Sequence, residues 1–312
     1  MQRLIIDTDP GVDDAQAILM AAAHPETTIE AILVVGGNVG LEHTLRNALT
    51  LTEIVEQDIP VYAGCGVPLV QFQEDAAEFH GADGLGGSGI VPQHRQAEAE
   101  YAALALIRLA NEAPNELTLA AIGPLTNIAL AVRLDPTLPH KIKRFVVMGG
   151  AVTAQGNTSN VSAEFNIFFD PEAAHIVFEA WGNAGLIIEV IDWEATARYP
   201  YPANVLDRWL ALDTPKGRFF QQITAAGIER TSRRFGRKML FAADPLAMSV
   251  VLEPDIVTRA EQHHLAIELV GTYTRGQTVV DWRDLHNNPI NANIVLDVDE
   301  NRFHMLMEQG LR

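Results

Sequence analysis

One cysteine in 312 residues, Cys65, cannot close a disulfide within the chain, so no covalent staple is available and a reducing, cytoplasmic compartment is expected. Basic residues are scarce as well: 22 Lys and Arg stand against 40 Asp and Glu, a formal net charge of −18. Such a chain repels polyanions and lacks the electrostatic attraction behind most nonspecific nucleic-acid affinity, so nucleic acid and anionic membrane are excluded as expected partners. No window reaches the roughly 18 uncharged apolar residues of a membrane span. The opening MQRLIIDTDP brings a carboxylate by position 7, where a signal peptide needs an unbroken apolar stretch. Repeats and low-complexity tracts are also missing. What is present, 48% hydrophobic and 20% charged residues, is ample for a core and excludes intrinsic disorder.

Short apolar runs alternate with longer amphipathic ones, the pattern of βαβ units. Strands are expected at 4–8, 29–35, 117–122, 144–148 and 186–191, and helices at 13–23, 43–55, 98–111, 125–134 and 171–181. The runs LIID, AILVV and FVVM are nearly all apolar, as strands buried on both faces require. The spacing predicts an α/β fold: an open, mainly parallel (mixed) sheet flanked by helices, one domain over 1–312 with a helical excursion at about 201–240. Two β-like runs follow at 264–270 and 277–282, and the glycine-rich stretch 70–96 reads as a long functional loop. In open parallel sheets the chemistry sits at the carboxyl ends of the strands.

There the sequence places Asp7-Thr8-Asp9-Pro10-Gly11-Val12-Asp13-Asp14. Asp7 and Asp9 are two residues apart and share a strand face. Pro10-Gly11 turns the chain, and Asp13 and Asp14 fall at a helix N-terminus, where negative charge is favoured. Four carboxylates converging on one crevice would hold a hard divalent ion with oxygen ligands; without one, repulsion would drive some to bind protons. A Mg²⁺-dependent phosphohydrolase with Asp7 as nucleophile is a second reading of strand plus Asp-x-Asp.

The segment DTDPGVDDA, Asp7 to Ala15, resembles the signature of the inosine-uridine nucleoside hydrolases. Later segments agree in order: Gly37-Asn38, Arg46-Asn47, His80-Gly81, Gly123-Pro124-Leu125-Thr126-Asn127, Met148-Gly149-Gly150, Ala163-Glu164-Phe165-Asn166, Asp170-Pro171 and Asp244-Pro245. The resemblance implies one Ca²⁺ at the bottom of a deep pocket and hydrolysis of the N-glycosidic bond between ribose and base in a ribonucleoside. It implies Asp9, Asp14, Asp244 and the Ile122 carbonyl as metal ligands, and Asp9 as the general base for a metal-bound water. Asp13, Asn38, Glu164 and Asn166 would bind the ribose hydroxyls, Met148 would wall the sugar, and His80 would meet the base. Asn157 matches the family asparagine before Ala-Glu-Phe-Asn with one extra residue of spacing, and Asn160 is its alternative. The family also implies a homodimer or homotetramer.

One position departs. Many family members carry a histidine directly before the metal-binding Asp, where it protonates the departing base; here Ala243 occupies it. General acid catalysis is typically worth about 10²- to 10⁴-fold. His80, Glu194 and the basic stretch 230–238 are the sequence candidates to compensate, and a ribosyl-binding protein without turnover is the alternative. The pairs Arg233-Arg234 and Arg237-Lys238 offer a phosphate site, and Trp193 and Phe241 offer stacking surfaces.

Overall fold

The computed structural model describes residues 1–71 and 75–312. Its strands are β1 (Gln2–Thr8), β2 (Thr27–Val34), β3 (Val61–Ala63), β4 (Leu117–Ala121), β5 (Arg144–Met148), β6 (Ile188–Ile191), β7 (Tyr201–Pro202), β8 (Met239–Leu240), β9 (Val257–His263), β10 (Leu265–Ile267), β11 (Thr278–Val280) and β12 (Ala292–Val298). The helices are α1 (Val12–Ala23), α2 (Leu41–Ile54), α3 (Ala77–His80), α4 (Ala102–Glu112), α5 (Thr126–Leu134), α6 (Phe165–Phe169), α7 (Pro171–Asn183), α8 (Trp193–Arg198), α9 (Ala203–Leu210), α10 (Pro215–Phe235), α11 (Ala243–Leu252) and α12 (Glu300–Gly310). Among the described residues no helix is long and apolar enough to cross a membrane.

An eight-stranded sheet runs in the order β3-β2-β1-β4-β5-β6-β12-β9. All its neighbours are parallel except β12 and β9. Alternation along β1 divides the core: Leu4 and Ile6 face α1, α10, α11 and α12, whereas Ile5 faces α4, α5 and α7. The chain builds β2 and β3 on one side of β1, then returns to lay β4 on the other. That reversal opens a crevice at the carboxyl ends of β1 and β4, where Asp9 and Ile122 lie.

The mixed α/β architecture agrees with the sequence expectation, with shifts at the ends. The helix expected from 98 starts at Ala102, because Glu98 bridges to Tyr62 and its N–H donates to Val61 O at 2.8 Å, prolonging the edge beside β3. The excursion after 201 is helical in α9 and α10, but Tyr201 and Met239–Leu240 form a small antiparallel ladder. The two late β-like runs pair as β10 and β11, apart from the main sheet. In the stretch 70–96, the residues from 75 onward contain one helical turn, α3, and Phe72–Glu74 lie outside the described residues.

Candidate functional site

Four carboxylates meet in the crevice, but they are not the four that the sequence places there. Asp9 follows β1, Asp13 and Asp14 occupy the first turn of α1, and Asp244 comes from the first turn of α11. Carboxylate oxygens of Asp13, Asp14 and Asp244 all lie within 4.8 Å of one another. Asp7 corrects the expectation. It is fully buried in β1 and its Oδ2 accepts from Asn127 Nδ2 at 2.9 Å; Asn127 also donates to Val34 O and accepts from Cys65 N–H. The period-two argument fails because β1 ends at Thr8, and Asp9 already lies on the turn. Asp7 is thus tied to Asn127 through Oδ2 and set apart from the other carboxylates, with its Oδ1 buried and without a partner.

Asp9 and Asp14 are completely buried, and their orientation is fixed by donors around them. Asn38 N–H donates to Asp9 Oδ2 at 2.7 Å, and Asn38 Nδ2 donates to Asp9 O at 3.1 Å and Asp14 Oδ2 at 2.9 Å. Thr8 Oγ1 donates to Asp14 Oδ1, and Gly11 N–H to Asp14 Oδ2 at 2.8 Å. Gly37 and Gly123 leave room for this: a Cβ at either position would collide with the Asp9 carboxylate. Asp9 Oδ1 and Asp13 Oδ1 are buried without any partner.

The electrostatics follow from that burial. Desolvation, then the neighbouring Asp14, pushes Asp9 well above the ordinary carboxylate range. Burial and Asp13 push Asp14 up to about 7, and Asp244 is raised by burial and by Asp13, Asp14 and Asp9. No Lys or Arg among the described residues forms an ion pair with any of the four. An all-oxygen donor set with orphaned buried oxygens and no Lys or Arg partner suits a hard divalent ion.

The residues expected to meet the sugar differ in how far they are already engaged. Asp13 remains partly open, with its Oδ2 accepting Ala243 N–H at 3.3 Å. Asn166 donates from Nδ2 to the carbonyls of Ile122 and Met148, both at 3.2 Å, and lies 3.4 Å from Met148 Sδ. This brings the expected carbonyl ligand, the sugar wall and an amide together. Asn38 Nδ2 is committed to the Asp9 backbone carbonyl and the Asp14 carboxylate, so only its Oδ1 is left to meet a ligand. Glu164 caps α6, accepting from the N–H groups of Asn166, Ile167 and Gly150. Despite those donors, burial pushes its carboxyl up to about 7. Its side-chain ¹³C resonance is accordingly expected to titrate near neutrality; a midpoint in the ordinary glutamate range would contradict the burial argument.

Asn160 is fully occupied: Oδ1 accepts from Thr158 Oγ1 and Ala163 N–H within its own loop, and Nδ2 donates to Arg275 O in the β10–β11 connection. Asn157 is exposed, and its Oδ1 accepts Phe165 N–H at 2.9 Å. Glu194 is spent on Thr153 N–H, Thr153 Oγ1 and Gln155 N–H, and so offers no free acid. Of the basic pairs, Arg233 is paired with Glu229 and Lys238 with Asp207. Trp193 and Phe241 do meet, with ring centroids 5.7 Å apart, and Phe235 adds an edge contact to Phe241.

His80 closes the other side. Its Nδ1 accepts Val12 N–H at 3.1 Å, at the start of α1, and lies 3.8 Å from Asp13 Oδ1. Sequence reasoning had no signal for what shapes its loop. Asp83 accepts N–H groups from Leu85, Gly87 and Gly89, so the glycine-rich segment wraps one carboxylate. Partial burial works against it, but these amides hold the Asp83 carboxyl below its ordinary range. Asn47 Nδ2 donates to both Pro10 O and Asp83 O, tying this wrap to the acidic turn.

Comparison with known proteins supplies the wider context. The profile of the family described as inosine-uridine preferring nucleoside hydrolase matches residues 4–305. The pyrimidine-specific ribonucleoside hydrolase RihB of Escherichia coli K12 is 33% identical over 311 residues, covering 100% of this chain and 97% of its own. Among solved structures, the plant nucleoside hydrolase PpNRh1 superposes with a TM-score of 0.91 at 31% identity, covering 99% of this chain and 98% of that one. A purine-preferring ribonucleoside hydrolase from Gardnerella vaginalis gives a TM-score of 0.90 at 30% identity, with the same coverage of both chains.

Proposed function

This chain belongs to the inosine-uridine preferring nucleoside hydrolase family, and from that premise we propose a Ca²⁺-dependent hydrolysis of the ribonucleoside N-glycosidic bond with Asp9 as general base. The enzyme class, a nucleoside hydrolase, is that of its full-length relatives. The observation that carries the finer reading is the orphaned Asp9 Oδ1, buried in an all-oxygen cluster at the switch point of the sheet.

Asp9, Asp14, Asp244 and the Ile122 carbonyl are the groups that would hold the ion. When bound, a hard divalent cation supplies charge that keeps these carboxylates ionised and orients oxygen ligands. The chain's own groups do the rest. Asp9 Oδ1 takes a proton from the attacking water as the bond from water oxygen to the anomeric carbon forms and the bond to the base nitrogen breaks; its electron pair leaves on the base, which takes up a proton from solvent water to give the free base. Asp13, the Asn38 oxygen, Glu164 and Asn166 orient the sugar hydroxyls; Asn157 is the open asparagine of the pair, Asn160 the closed one. Positive charge developing on the sugar is stabilised by the surrounding carboxylates. Ala243 contributes only a backbone N–H, held by Asp13, so no side chain at that position can protonate the leaving base. His80 is the imidazole beside Asp13, which makes it the base-side contact in this reading.

Chromatographic release of free base from inosine, guanosine, uridine and cytidine tests the reading, with base and ribose expected in equal amounts. No release from any of them, alongside calorimetric binding of a nucleoside, would replace it with the binding-protein alternative. The relatives include both a pyrimidine-specific and a purine-preferring enzyme, so the panel also assigns the base. The remaining parts of the proposal are a cytoplasmic homodimer or homotetramer. Removing the carboxylate that the loop wraps, Asp83→Ala, loosens the segment that carries His80 and is expected to lower kcat for base release about 3- to 10-fold; unchanged kcat would show that the wrap does not position His80.

A further inference from the structure

We infer that Arg230 is a positioning residue that acts through His80: it fixes the α3 turn against α10 so that the imidazole presents its Nε2–H to the departing base. The inference rests on the reading of His80 as the base-side group.

Two contacts join Arg230 to the residue directly before His80. Arg230 Nη1 donates to Phe79 O at 3.2 Å, on the residue directly before His80. The same guanidinium lies over the Phe79 ring, 5.4 Å from its centroid, and it does so although Phe79 is about half exposed. The turn is also held at both ends by backbone bonds: Ala76 N–H donates to Asn38 O at 3.0 Å, in the loop after β2, and Gly86 N–H to His80 O at 2.7 Å, within the glycine-rich segment. Gly86 lies against the Ile223 carbonyl of α10, where a Cβ would collide. The turn thus has one face on α10, and Arg230 is the side chain that grips the backbone beside the imidazole.

That grip has a chemical consequence. Val12 N–H can only donate, so His80 Nδ1 must keep its lone pair and the neutral ring must carry its proton on Nε2. The charged groups facing the ring are Asp13 and Arg230. Burial and the Arg230 cation favour the neutral imidazole against the pull of Asp13. A ring free to turn would sample both tautomers and offer Nδ1 or Nε2 at random. With Ala243 unable to donate, the Nε2–H is the donor that this arrangement holds ready.

The test combines nitrogen spectra with a double-mutant cycle. In wild-type protein the His80 ¹⁵N shifts are expected to show one protonated and one unprotonated nitrogen, with the proton on Nε2. In Arg230→Met the two should average toward a tautomer mixture. Base release should fall about 5- to 20-fold in kcat for Arg230→Met, but less than about 2-fold when the same change is made in His80→Ala, because residues acting through one group are not additive. Arg230→Lys keeps the charge and a donor to Phe79 O but loses the planar stack, so it should recover part of the loss and covers the case in which the methionine variant folds poorly. Equal losses in the two backgrounds, or an unchanged His80 spectrum in Arg230→Met, would overturn the inference. If the protein releases no base at all, the proposed function fails while the nitrogen spectra still decide whether Arg230 positions His80.

Discussion

Asp9→Asn is expected to lower kcat for base release by about 10³-fold, within the range typical of a lost general base. The amide keeps the size of the side chain and leaves an oxygen to accept Asn38 N–H, which reaches Asp9 Oδ2 at 2.7 Å in the native protein. What disappears is the basicity of Oδ1, the oxygen that no protein group satisfies. In the metal-free protein, burial and then the neighbouring Asp14 hold that carboxyl well above the ordinary range. The assay is paired with metal analysis, since Asp9 is also a proposed ligand. A variant that retains calcium and near-wild-type turnover would remove Asp9 from the chemistry.

Asp14→Ala is expected to abolish stoichiometric calcium binding, and with it all but a residue of activity, a loss of at least about 10³-fold. Asp14 is held by Thr8, Gly11 and Asn38, so the mutation also frees three donors around the ion's place. The native protein stripped of metal should show the electrostatic counterpart. There Asp14 is pushed up to about 7 by burial and Asp13, whereas the unfolded chain has the ordinary value near ~4. A raised carboxyl pKa means that the folded state holds protons the unfolded state has released, so stability present below about pH 4 is lost as pH rises through 7. Thermal unfolding of chelated protein should therefore shift to lower temperature between about pH 5 and 8. Added calcium should reverse the shift, because binding to the folded state alone stabilises it. A full equivalent of calcium in Asp14→Ala, or a chelated protein indifferent to pH, would contradict the assignment.

The parts of this arrangement that the sequence makes legible are those written in one stretch. Asp9, Asp13 and Asp14 lie within six residues, and an apolar strand followed by Pro10-Gly11 fixes where they point. Asp7 shows the limit of that reasoning, because strand periodicity holds only to Thr8 and one residue decides which face a carboxylate joins. Asp244 is separated from Asp9 by most of the chain, and only the ordered resemblance to a family connected the two. β1, β2, β4, β5 and β6 were readable as short apolar runs, whereas the interior strand β12, interrupted by Asn293 and Asp297, was not. The edge strand β9 is mostly polar with no fully buried residue, and β3 has three residues, so neither carries the signal of a buried strand. The loop around His80 is organised by backbone amides on Asp83 and by Arg230 on Phe79. Such contacts depend on tertiary approach and leave no local pattern in the sequence.

The central claim is that this cluster, loaded with calcium, hydrolyses a ribonucleoside. Its most direct test is free-base release by chelator-stripped protein as calcium is titrated back in the presence of the best nucleoside of the panel. Negligible release without the ion, rising to saturation at one calcium per chain with ribose formed in equal amount, is the predicted result. Full release by the stripped protein, or no release at any calcium concentration, would contradict it.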